Sequence, residues 1–296
     1  MIPKLIARGD IVFGLSRHPP EASEMVVPLV GDVTKPNLGL KQVPQGISSL
    51  YHLAATVQLG ADKDGSIWGT NVTGTENVIK FCLDHNIPHL FFCSTAYTID
   101  DGRNAYEKSK IHCERLINQS GIPKVTIFKP SVIMGTRDNP FFGHYSQFGI
   151  IMMRVHRRAE IVRRKLEGTL RLPIIEPVFR VKANPEGHLN LVIVDKVAEA
   201  MAEIEDTGTY WLTNPNPNTL GQVIGWIGEF ILVNIKVEPE FKPTPLERLY
   251  QKKVNGFSPY LQGDSFPSHL KDHPAITKEF ALSTLTQAFF AIDSGK

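Results

Sequence analysis

The chain has 296 residues, 42% of them apolar and 21% charged, with a formal net charge of +2. That length holds one large domain, or a domain with a smaller appendage, and can bury a sizeable core; the near-balanced charge gives no case for a nucleic-acid partner. Three cysteines, an odd number with Cys93 inside an apolar run, fit a reducing compartment without a disulfide framework; no run approaches the roughly 18 apolar residues of a membrane span and no signal peptide is visible, so a cytoplasmic protein is expected.

Ile2 to Ala7 has the apolar spacing of the closing turns of a helix, with Gly9 as its C-cap, and Asp10 to Leu15 follows as a strand. A chain that starts partway along a helix is expected to lack whatever preceded it. Met25 to Val30 and Ser49 to Ala55 read as further strands, and Ser66 to Asp84 as a helix containing Asn71-Val72-Thr73-Gly74-Thr75. The strand Leu90 to Cys93 leads through Ser94, Thr95 and a short polar loop into a helix opening at Tyr106, and Val125 to Phe128 is the next strand. Strands alternate with helices and their apolar runs are continuous rather than of period two. That implies a parallel sheet covered on both faces, a doubly wound, Rossmann-like α/β fold.

Beyond Lys129-Pro130-Ser131 the character changes. Tyr145 to Glu167 reads as a long helix in a dense basic run holding Arg154, His156, Arg157, Arg158, Arg163, Arg164 and Lys165 and continuing to Arg171. Leu189 to Val194 is an apolar strand, Asp195 an N-cap for the helix Lys196 to Ile204, and Thr209 to Leu212 a short strand before the Pro- and Asn-rich loop Thr213 to Asn218. Helices are expected over Leu220 to Leu232 and Ile276 to Ile292; Pro239 to Pro274 yields no regular pattern. The expected domains are a dinucleotide-binding core over 1–135 and a smaller, mainly substrate-binding region over 136–296, with 189–204 returning to the core.

The chemistry concentrates between Leu90 and Lys110. Tyr106 and Lys110 are four residues apart, so on a helix they share a face one turn from each other. An ammonium beside a phenol favours phenolate, which brings a group that titrates near pH 10 when free within reach of proton exchange nearer neutrality. Thr95, at the carboxyl end of the preceding strand, is placed to hold the same substrate oxygen. Alone, Tyr-x-x-x-Lys is also an ordinary surface-helix pattern; its position after a strand ending in Ser-Thr distinguishes it. His52 reads as a packed core histidine, and the histidines and cysteines have no metal-ligand spacing, so no metal site is expected.

Gly31-Asp32-Val33-Thr34, His52-Leu53-Ala54-Ala55, Asn71-Val72-Thr73-Gly74-Thr75, Ser94-Thr95-Ala96-Tyr97, Tyr106-x-x-x-Lys110, Lys129-Pro130-Ser131 and Val194-Asp195 occur in the order and approximate spacing of the extended short-chain dehydrogenases/reductases, the epimerase/dehydratase superfamily. Within it, the wording of GDVTKPNLGL and STAY most resembles the branch with thioester reductase domains and fatty acyl-CoA reductases. The resemblance covers roughly Met1 to Pro217. It implies a catalytic triad of Thr95, Tyr106 and Lys110, with Tyr106 protonating a carbonyl oxygen as hydride arrives from a nicotinamide. Lys110 would lower the tyrosine pKa and bind the nicotinamide ribose. It further implies cofactor contacts at Asp32 and Val33 (adenine), at Ala54 and Ala55 (backbone lining), and from Pro130 to Val132 (carboxamide). Arg17 falls at the end of the strand Asp10 to Leu15, where an arginine accommodates a ribose 2′-phosphate, which favours NADP while leaving NAD possible. The alternative is that Arg17 is a solvated turn residue.

The departures from the pattern carry expectations of their own. There is no Gly-x-x-Gly-x-x-Gly, so the first strand and the turn that seats the pyrophosphate would lie before Met1. The readings, in order, are a gene start placed too far downstream, a fragment, or lost tight cofactor binding; the chain as given is expected to bind its dinucleotide poorly. The loop from Thr95 to Tyr106 is short for a nucleotide-sugar epimerase. The resemblance therefore implies an NADPH-dependent reductase of a carbonyl or acyl-thioester substrate, with a small molecule, coenzyme A or a carrier-protein thioester as partner, no membrane, and a homodimer left open. A nucleotide-sugar epimerase or dehydratase, a hydroxysteroid-type dehydrogenase, and a non-catalytic cofactor-sensing or scaffold protein stay as alternatives. The basic helix Arg154 to Arg171 is either a phosphate-attracting face or a solvated one.

Overall fold

The computed structural model describes residues 1–58, 61–136, 143–171, 179–244, 247–248, 251–252 and 255–293. The chain divides into two compact units: Met1–Ser131 with Lys196–Thr213 and Ser268–Leu270, and Val132–Asp195 with Asn214–Pro267 and Lys271–Lys296. Set beside the expected boundary at 135 and returning stretch 189–204, the division falls between Ser131 and Val132, and the returning stretch is Lys196–Thr213.

The first unit opens on helix α1 (Ile2–Arg8), which ends where Gly9 takes φ 98° and the Gly9 and Asp10 N–H groups fold back onto the carbonyls of Ile6 and Leu5. Strands β1 (Val12–Ser16) and β2 (Val26–Val30) pair in parallel, Val12 opposite Val26. β3 (Leu50–His52), β4 (His89–Cys93) and β5 (Lys124–Pro130) form a parallel sheet with Gly208–Leu212, in the order Gly208–Leu212, β5, β4, β3. The expected parallel α/β sheet is thus present as two separate ladders. Among the described residues, β1 pairs only with β2 and β3 only with β4.

The connections are helical. α2 (Ser66–Trp68) runs through a π-helical turn, Gly69–Thr73, into α3 (Gly74–Asp84), and α4 (Ala105–Asn118) joins β4 to β5. The single helix expected over Ser66 to Asp84 therefore carries a π turn centred on Asn71. β4 is central because its residues Leu90, Phe91 and Phe92 can all be buried, as continuous apolar runs in parallel sheets are. The core of the unit joins Phe92 and Ile127 to Val78, Phe81, Cys113 and Ile117 from the covering helices.

In the second unit, Val132–Met134 pairs in parallel with Leu191–Ile193, and Phe179–Lys182 with Ile235–Glu238. Around them pack α5 (His144–Leu170), Leu220–Ile231 and Lys278–Asp293, with Phe148, Met152, Leu191, Ile224 and Leu285 in the core. The strand expected over Leu189 to Val194 is split into His188–Leu189 and Leu191–Ile193. Asp195 is not an N-cap: its helix already runs from Val194, and its carboxylate accepts the Thr136 hydroxyl at 3.0 Å.

Candidate active site

The site is built where β4 ends. Past Cys93 the chain stays bonded to β5: the Ser94 N–H donates to Phe128 O and the Ala96 N–H to Pro130 O, each at 2.8 Å. This holds Thr95 at the carboxyl end of the central strand, 6% exposed, its hydroxyl accepting the Tyr97 N–H at 3.4 Å. The following loop turns at Gly102 (φ 80°), where a Cβ would come within 2.8 Å of the Lys108 nitrogen. The loop closes on Glu107, whose wholly buried carboxylate accepts the Arg103 backbone N–H at 2.7 Å and its guanidinium at 3.1 and 3.2 Å. Arg103 also lies 5.6 Å from the centre of the Tyr97 ring.

Helix α4 begins immediately after, capped by the Asn104 side chain, which accepts the Glu107 N–H at 2.9 Å. Tyr106 sits in its first turn and is 8% exposed. One turn on, the Lys110 ammonium is 2% exposed, donates to Cys93 O at 2.7 Å and lies 4.6 Å over the Phe92 ring. That bond ties the helix bearing Tyr106 to the end of β4, two residues before Thr95. Burial pulls the Lys110 pKa down, against the opposing pull of Cys93, Cys113 and Glu114. His52, behind the ammonium on β3, is driven to a pKa of about 3 by burial first and the Lys110 charge second, so it is a neutral core residue hydrogen-bonded to Thr75.

Asn71 emerged from the sequence as part of a motif, without a role. Its buried amide accepts the Thr56 N–H at 2.8 Å and donates to Thr56 O at 3.1 Å and to the Ser109 hydroxyl at 2.8 Å, while Ser109 donates to Tyr106 O at 2.7 Å. Its carbonyl accepts the Thr75 hydroxyl at 2.6 Å. The π turn lets one residue reach both the loop after Ala54-Ala55 and the helix of Tyr106, a placement such turns often serve. The signals available for it were the Asn-Val-Thr-Gly-Thr run and the spacing of three between Tyr106 and Ser109.

The remaining predicted residues fall as follows. Arg17 is exposed directly after β1, and its charge helps hold the Asp32 carboxyl below its usual range, although the main causes are the Thr34 N–H and hydroxyl, at 2.9 and 2.8 Å. Val33 is fixed by its carbonyl, which accepts the Asn77 amide at 2.8 Å. Ala54 is exposed and Ala55 half-buried beyond β3; Pro130 ends β5, and Val132 lies in the second unit with its N–H on Asn190 O at 3.1 Å. A surface hollow lined by Gly225, Glu229 and Asn234 shares no residue with this constellation. Among the described residues, no group of three or more His, Cys, Asp or Glu could hold a metal, and no helix is long and apolar enough to cross a membrane.

Residues 7–104 match the family model described as "Male sterility protein". A Xenopus laevis protein, short-chain dehydrogenase/reductase family 42E member 1, is 32% identical over 95 residues, which span 31% of this chain and 24% of that relative. Two solved structures share the fold. A thiolation-reductase di-domain from an archaeal non-ribosomal peptide synthetase has a TM-score of 0.61 at 14% identity, over 93% of this chain and 76% of that one. MoeE5 in complex with UDP-glucose and NAD has a TM-score of 0.62 at 14% identity, over 98% and 94%. The chain thus shares the parallel α/β fold of these structures, and its N-terminal third is similar to that family model and to that short-chain dehydrogenase/reductase.

Proposed function

We propose that the protein is a nicotinamide-dependent reductase of a carbonyl or acyl-thioester substrate, with Tyr106 as general acid. The observation that carries this reading is the buried Lys110 ammonium, one turn from Tyr106 and bonded to Cys93 O beside Thr95. Two of its three N–H groups have no acceptor among the described residues. Such a group invites a ligand oxygen, and a nicotinamide ribose hydroxyl fits it. At the other end of the cofactor, Asp32 is pre-set by Thr34 beside the Arg17 cation, which favours a 2′-phosphate and hence NADPH. No residue of this chain is assigned to the pyrophosphate.

A bound NADPH supplies the hydride to the carbonyl carbon. Tyr106 delivers its phenolic proton to the carbonyl oxygen, and the Thr95 hydroxyl donates a hydrogen bond to the same oxygen. Lys110 lowers the cost of the resulting phenolate through its charge. Asn71 and Ser109 hold the helix in register with the cofactor-side loop at Thr56. On an acyl thioester the first turnover releases the thiol and yields an aldehyde.

The UDP-glucose complex among the fold relatives favours a second reading, a nucleotide-sugar epimerase using NAD. Incubation with stereospecifically deuterated NADPH and an acyl-coenzyme A or a free aldehyde, and separately with NAD and UDP-glucose, separates the two. Net deuterium in an alcohol product supports the reductase. Interconversion of UDP-sugars without net cofactor consumption supports the epimerase and overturns the first reading.

A further inference from the structure

Helix α5 is 27 residues long, about 40 Å. Arg154, Arg157, Arg158, Ile161, Arg164, Lys165 and Gly168, with Arg171 at the C-cap, recur at the spacing of one helical face, and every one of them is exposed. This face carries six cations and no acidic residue. The two acidic residues of the segment lie on the neighbouring face and are bonded to Arg163: Glu160 at 2.8 Å and Glu167 at 3.0 Å. Of the six cations only Arg164 approaches a carboxylate among the described residues, Glu160 at 3.9 Å. These six cations lie within 18 residues of a chain whose overall net charge is only +2, so the stripe is locally far more basic than the chain as a whole. The helix dipole could account for Arg171 at the C-cap, but not for Arg154, Arg157 and Arg158, twelve or more residues before the helix end at Leu170.

We infer that this stripe docks an acidic helical segment of a partner protein. Counted from Arg154 the cations fall at i, i+3, i+4, i+10, i+11 and i+17, spread over about 25 Å of the helix axis, so they diverge. A single small anion needs cations that converge, whereas a facing helix with acidic residues at the same spacing meets them one by one. Ile161, 62% exposed in the middle of the stripe, gives that helix an apolar contact at the centre of a charged rim. A bilayer surface calls for a broad apolar face, and on this stripe Ile161 is the only large apolar residue. The inference does not rest on the proposed chemistry.

The test uses the whole protein and a labelled synthetic helical peptide of about five turns, with glutamates at matching positions around a central leucine. A peptide of the same composition, permuted so that the glutamates share no face, is the control, and binding is read by fluorescence anisotropy. The ordered peptide is expected to bind at least about tenfold more tightly than the permuted one, to weaken with salt, and to lose about tenfold or more in Arg157→Glu/Arg158→Glu and several-fold in Ile161→Ser. Circular dichroism of the variants is expected to match the parent. Equal binding of both peptides, no binding of either, or an affinity untouched by the charge reversal overturns the inference. Reversal-sensitive binding of double-stranded DNA, of coenzyme A or of phosphatidylglycerol vesicles in place of the peptide overturns it too, and names the other occupant.

Discussion

His52 should make the fold acid-sensitive through a single group. Its ordinary pKa of 6.5 falls to about 3 because the ring is buried against Phe92 and Thr75 with the Lys110 charge behind it. The folded-state pKa lies below the unfolded one, so between them the unfolded chain binds a proton that the folded chain does not. Stability is therefore present above the unfolded pKa and lost as pH falls toward about 3. The full shift corresponds to about 5 kcal/mol, and the part lost between about pH 7 and about pH 4.5 is about 2.5 kcal/mol. Urea unfolding of the parent and of His52→Gln at those two pH values isolates the contribution, because glutamine can keep the bond to Thr75 without titrating. The parent should lose about 2.5 kcal/mol more than the variant on acidification. Equal losses would show that the ring is protonated, or solvated, in the folded protein, and the electrostatic account of the pocket behind Lys110 would be refuted.

Other variants probe the site itself. Asn71→Ala removes the bonds to Thr56 and Ser109 and should cost about 3 kcal/mol in unfolding free energy and lower kcat more than it raises KM, measured by urea titration and steady-state kinetics. Lys110→Met should remove at least about a hundredfold of turnover. In the parent, turnover should decline at alkaline pH as Lys110 loses its proton at a pKa below the ordinary 10.5, which a pH-rate profile reads directly. Arg17→Ala should weaken NADPH at least about tenfold more than NADH in direct titrations, and equal losses would make Arg17 a turn residue only.

What was legible in the sequence and what was not divide along physical lines. β4 and the cap of α1 were readable because a continuous apolar run and a glycine past an apolar period act locally. Thr95, Tyr106 and Lys110 could be nominated from sequence because helical spacing alone puts two of them on one face after a strand end. The Arg103–Glu107 closure, the π turn and the reach of Asn71 to both Thr56 and Ser109 arise from contacts across the unit, which no periodicity announces. Asp195 failed as a cap because Val194 already enters the helix from the ladder Leu191–Ile193, and the Asp195 carboxylate accepts the Thr136 hydroxyl. Phe179–Lys182 and Ile235–Glu238 went unnoticed as strands: each is four residues long and, among the described residues, pairs only with the other.

The central claim is that Tyr106 gives the proton that completes hydride transfer. The most direct measurement is single-turnover transfer of deuterium from labelled NADPH to an aldehyde by the parent and by Tyr106→Phe, with cofactor affinity and circular dichroism measured on both. The account predicts an unchanged fold, NADPH affinity within about twofold, and transfer slowed at least about a hundredfold, the usual scale for removing a general acid. Transfer at the parent rate in Tyr106→Phe would contradict it and take Tyr106 out of the chemistry.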